Sequence, residues 1–80
     1  MKTPHFHELD TVVLLRDIPE AGLRAGDLGV VVLVYDTEAL EVEFVTASGR
    51  TTALVSLKAS DVRGIADTDL VAVRTIARSA

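Results

Sequence analysis

Residues 30–34 read Val-Val-Val-Leu-Val, five aliphatic side chains in succession, four of them β-branched. β-Branching restricts χ1 and favours pleated backbone over helix. The run follows "GLRAGDLG" (22–29) and ends at Tyr35-Asp36, so it has strand length and turn residues at its boundaries. Side chains along a strand alternate between two faces. One face of this strand then carries Val30, Val32 and Val34, and the other carries Val31, Leu33 and Tyr35. A strand with one face on a core and one in water should alternate apolar with polar, and this one does not. Val12-Val13-Leu14-Leu15 has the same two-sided character. At about 25 cal/mol per Å² of apolar area, leaving several such side chains in water forgoes a few kcal/mol, comparable to a small domain's whole stability. Something should cover the second face.

The rest of the chain supports a β architecture. Valine, isoleucine and threonine supply 12, 3 and 8 of the 80 residues, and the apolar runs are short. "TVVLLRDI" (11–18) reads as a first strand closed by Pro19, and "PEAGLRAGD" (19–27) as a long loop. Strands follow at 28–36, 40–47 and 51–59, with "SGR" (48–50) as a tight turn. "SDV" (60–62) suits one helical turn capped by Ser60, and "RGI" (63–65) a brief last strand. About five strands, a long first loop and a one-turn helix before the last strand describe an all-β, small SH3-like barrel over residues 8–66. Residues 1–7 are expected to form a mobile N-terminus, and 67–80 a C-terminal tail that packs on the barrel or on a partner. In the tail, Leu70, Val73, Ile76 and Ala77 recur at helical spacing, while Val71, Val73 and Thr75 would equally line an edge strand. Both readings stand.

Several functions find no support in the residues. A Walker loop needs a Lys-Ser/Thr pair opening a helix, and a Rossmann fingerprint needs a strand before its glycines; "GLRAGDLGV" offers neither. Gly26 and Gly29 instead suit a turn and a close strand approach. Net charge is −4, with all 12 acids and only six bases in residues 1–69, so no basic stripe for nucleic acid is visible. His5 and His7, with Glu8 or Asp10, are the one place a metal could be imagined, but they sit at a terminus without a distant further ligand. No nucleophile–His–acid set and no acid–base pair is placed for catalysis, because Glu41 and Glu43 alternate with Val42 and Phe44 as a solvated strand face would. The expectation is a protein without enzymatic activity, cofactor, metal or small-molecule ligand. With no Cys, no signal-like run and no 18-residue apolar stretch, the cytoplasm is the expected compartment and a membrane is not. The scarcity of aromatics (no Trp, one Tyr, two Phe) removes the groove that binds proline-rich peptides.

The pieces "ELDTVVLLRDIPEAGLRAGDLGVVVLVY", "LEVEFVTASGRTTALVSLKASDVR" and "DLVAVR" resemble a family of small bacterial proteins known as domain of unknown function 4926. The likeness runs over residues 8–74 and lies in the order of its motifs, with Val30 where Thr is common. It implies an SH3-like barrel and carries over no catalytic or ligand residue. "GDLGVVV" alone is similar to KOW-type segments of ribosomal and transcription proteins, which would imply RNA or ribosome contact through the loop 19–27 and Arg24.

The apolar excess therefore marks the expected site. The tail, a second copy of the chain or a different protein would cover it. The sequence assigns the contact to Val31, Leu33, Tyr35, Leu70 and Val73, with Asp27 and Arg63 as a polar rim. The expected function is protein binding, as a homodimer or with an antitoxin-like or accessory partner.

Overall fold

A computed structural model describes residues 5–76. Residues 1–4 of the N-terminal segment, and Ala77 and Arg78 of the tail, lie outside the described residues. Five strands are present: β1 (Thr11–Leu14), β2 (Leu28–Val34), β3 (Ala39–Val45), β4 (Thr51–Lys58) and β5 (Val62–Gly64). The other regular elements among the described residues are two 3-10 turns, Pro19–Ala21 in the long first loop and Ala59–Asp61 before β5. The second is the helical turn expected from the sequence, but Ser60 does not cap it. The Asp61 carboxylate instead accepts the Lys58 N–H at 3.1 Å.

The strands form one antiparallel sheet in the order β4-β3-β2-β1-β5. β4 and β5 thus stand at opposite ends of the ladder, yet only residues 59–61 join them. A flat sheet would hold them four inter-strand spacings apart, about 19 Å, too far for three residues at about 3.5 Å each. The sheet must curl until its edges approach, and the result is a small all-β barrel-like fold. Val12, Leu14, Val31, Leu40, Val42, Phe44, Leu57 and Val62 line its interior, and Ile18 and Leu23 of the first loop close it. Phe6, from the N-terminal segment, also packs against this core.

Two glycines make the curl possible. Gly26 takes φ +97° in the turn before β2 and donates its N–H to Leu14 O at 2.7 Å. Gly29 lies beneath Val42 and Phe44. A Cβ built there would stand 2.6 Å from Val42 Cγ1 and 2.9 Å from Phe44 Cε2. The glycine loop therefore serves the barrel's entrance.

β2 departs from simple alternation. Val31 pairs with Val42, and Leu33 with the very next β3 residue, Glu41. Val32 is the extra residue of a β-bulge, which shifts the facing of everything after it. Before the bulge Val31 points inward and is 0% exposed; after it Val34 packs on the core while Leu33 and Tyr35 face out. Val31 is therefore a core residue and not part of an outer contact face. A strict period of two placed it with Leu33 and Tyr35, and the bulge separates them.

Candidate functional site

The tail is neither helix nor strand over residues 67–76. It is an irregular strap that follows a turn at 67–68 and is pinned near both ends by ion pairs. Asp69 accepts from Arg63 of β5, at 2.8 Å (Nη2–Oδ1) and 2.9 Å (Nη1–Oδ2), and from the Ala66 N–H at 2.6 Å. Arg74 donates to Asp27, just before β2, at 2.8 Å (Nε–Oδ1) and 2.5 Å (Nη2–Oδ2), and to the Gly22 carbonyl at 2.9 Å. Bidentate guanidinium–carboxylate pairs are the most geometrically specific ion pairs. Asp27 and Arg63, expected as a polar rim, are the barrel-side partners of these two ion pairs.

The register shows what lies under the strap. Arg63 of β5 stands opposite Val13 of β1, and Val13 opposite Leu28 of β2. Val12 and Leu14 point into the core, so Val13 faces outward, yet it is buried. The strap's residues 71–76 lie beside Leu23, Gly26–Leu28 and Phe44–Ala47. Six residues can span at most about 20 Å, ample for the two inter-strand spacings of about 5 Å each between β5 and β2.

The strap's own apolar side chains gain little from this. Leu70 is 96% exposed and Val73 95%, and Val71 and Ala72 are exposed as well. Among the described residues, no backbone hydrogen bond involves Leu70–Ile76. An unpaired segment with apolar side chains is a template for another chain. Leu33 and Tyr35, 43% and 55% exposed, stand five and seven residues along the chain from Leu28, hence about 17 Å or more, at extended spacing, from this neighbour of the Asp27 anchor. Tyr35 Oη donates to Glu41 Oε1 at 3.2 Å, and Ser56 Oγ donates to the same oxygen at 2.5 Å, so that part of the face is half polar. The structure thus splits the expected site. Leu70 and Val73 share one surface, Leu33 and Tyr35 lie on another, and Val31 is on neither.

Asp69 and Arg74 were missed as positioning residues. The sequence offered only a slight signal, an Asp27 in the glycine loop and an Arg74 following Asp67 and Asp69. Nothing in linear spacing pairs residues 47 apart.

The electrostatics of the anchors give a pH dependence. The hydrogen bonds from Arg63, with that from Ala66, hold the Asp69 carboxyl at about 2, against an ordinary 3.8. Arg74 likewise lowers Asp27, opposed by partial burial. A carboxylate whose pKa is depressed on folding contributes above its unfolded value and loses that contribution as pH falls through its folded value. The strap is therefore expected to stay closed from neutrality down to pH about 4 and to open between about 4 and about 2. Amide NMR shifts of residues 69–74, followed with those of the donors Ala66 and Arg24, check this. Strap movement already complete at pH 5 would contradict it.

His7 lies near the start of the described segment, where its Nδ1 is 3.7 Å from Asp10 Oδ2 and its backbone N–H donates to the same oxygen at 2.8 Å. His5 is exposed nearby. Among the described residues no three His, Asp or Glu side chains gather as metal ligands, and no helix is long and apolar enough to cross a membrane.

The family model described as domain of unknown function (DUF4926) matches residues 8–64. The match covers all five strands and ends where β5 ends, before the "DLVAVR" piece that belongs to the strap. No curated protein and no solved structure matches the chain.

Proposed function

The chain belongs to the DUF4926 family, and from that premise and the strap's geometry we propose that it is a non-enzymatic protein-binding module of the cytoplasm. It takes up either a second copy of itself or a dedicated accessory protein of the antitoxin-like kind. The observation that carries this reading is the strap. A segment fixed by two bidentate ion pairs turns Leu70 and Val73 almost wholly into solvent. Among the described residues, no backbone hydrogen bond satisfies the segment beside them. Ordering such a segment costs conformational entropy, about 1–2 kcal/mol per residue for the backbone, and the side chains it presents recover little of that in the free protein. Addition of a partner strand would satisfy the backbone and bury the side chains together.

The same surface favours protein over RNA. Phe44 is in the core and Phe6 packs against it, which leaves Tyr35 as the exposed aromatic among the described residues. Single-strand binding relies on several stacked bases, and one ring tied to Glu41 is a poor platform.

Sedimentation velocity on the purified chain, combined with affinity capture at moderate salt, tests the proposal. The expected result is a species larger than the 8.5 kDa monomer, or one protein recovered near stoichiometry. A monomer at high concentration that captures nothing would overturn it.

A further inference from the structure

Six bases fall among the described residues, and three of them line one cleft. The first loop contributes Arg24, the turn between β3 and β4 contributes Arg50, and the strap contributes Arg74. Arg16 and Arg63 are paired elsewhere, with Asp61 and Asp69, and Arg74 is paired with Asp27. The Arg24 and Arg50 guanidinium groups have no salt-bridge or hydrogen-bond partner among the described residues. Of the 12 acids only Asp17 lines the cleft, and its Oδ1 is engaged by the Ala25 N–H at 2.8 Å. Thr52 and Thr75 bring hydroxyls to the same wall. In a chain of net charge −4, this is a local inversion of sign.

We infer that this cleft binds a small polyanion through paired guanidinium groups, a phosphate or carboxylate compound of metabolite size. Its volume, about 700 Å³, is in the range of small-molecule sites. Two planar guanidinium groups approach an oxyanion with several N–H donors each, and such charge-assisted bonds are about twice as strong as neutral ones. The Thr52 and Thr75 hydroxyls add further donors, and Asp17 is the one carboxylate on the lining. The cleft is bounded by Arg74, so an occupant would sit against the strap's anchored end. The inference does not depend on the strap's binding a protein.

The test is an amide NMR titration of the whole chain with inorganic pyrophosphate, and separately with citrate, against sodium chloride at matched ionic strength. The expected result is saturable shifts confined to residues near Arg24, Arg50, Thr52 and Thr75, weakened at least tenfold in both Arg24→Gln and Arg50→Gln. Both side chains are exposed, and retained spectral dispersion verifies folding. Saturation by pyrophosphate alone assigns a phosphate compound, and by citrate alone a carboxylate. Shifts that never saturate, or that survive both substitutions, overturn the inference. So does a short single-stranded RNA that saturates the same residues where neither small anion does.

Discussion

Gly29→Ala is expected to destabilise the protein by about 2 kcal/mol, within the usual cost of overpacking a core. The added methyl would arrive 2.6 Å from Val42 Cγ1 and 2.9 Å from Phe44 Cε2, both on buried side chains of β3. Neither can swing into solvent, so β2 must lift away from β3. Alanine's smaller backbone entropy loss returns at most about 1 kcal/mol. In a domain of this size the net loss lowers the melting temperature by about 10 °C. The cause is the clash, so Gly29→Ala combined with Val42→Ala should lose less than the sum of the two singles. Gly64→Ala is the control. Nothing lies within 4 Å of its added Cβ, and its change is expected to stay within about 0.5 kcal/mol. Thermal or urea unfolding of the four variants measures all of this.

The second large effect concerns association. Leu70→Asp with Val73→Asp places two charges where a partner would bury two apolar side chains. Desolvating an unpaired carboxylate costs several kcal/mol, so capture or self-association should weaken at least a hundredfold. Both residues are more than nine-tenths exposed in the free chain, and the melting temperature should hardly move. Leu33→Asp, on the separate part of β2 beside Glu41, should leave binding within a few-fold of normal. Equal loss from Leu33→Asp would mean that the contact lies on β2 and not on the strap.

Much of the fold was legible because local signals agree with the global form. The β-branched runs became strands at 11–14, 28–34, 39–45, 51–58 and 62–64, within a few residues of their expected bounds. Pro19 opened the first 3-10 turn, and Phe44 entered the core. The first strand stopped at Leu14 rather than Ile18, since the chain leaves the ladder there and Ile18 returns to bridge Leu23. Alternation failed at Val32 because a bulge adds one residue without changing composition. Val31 was misplaced for that reason alone. The tail's ambiguity between helix and strand reflected apolar residues that fit both periods. Its actual form is held by two ion pairs, one local (Arg63–Asp69) and one between residues 47 apart (Asp27–Arg74), and no periodicity encodes either. The need for a cover on the second face was readable, but what Leu70 and Val73 await is not in the barrel.

Site-specific photocrosslinking in the source cells addresses that directly. A benzophenone side chain at position 73, with a control at the exposed Ser60 on the far side of β5 in the chain, reports what touches the strap. The account predicts one discrete protein adduct at position 73, either a second copy or a single other protein, and none at position 60. Adducts that are absent at 73, or equal and diffuse at both positions, would contradict it.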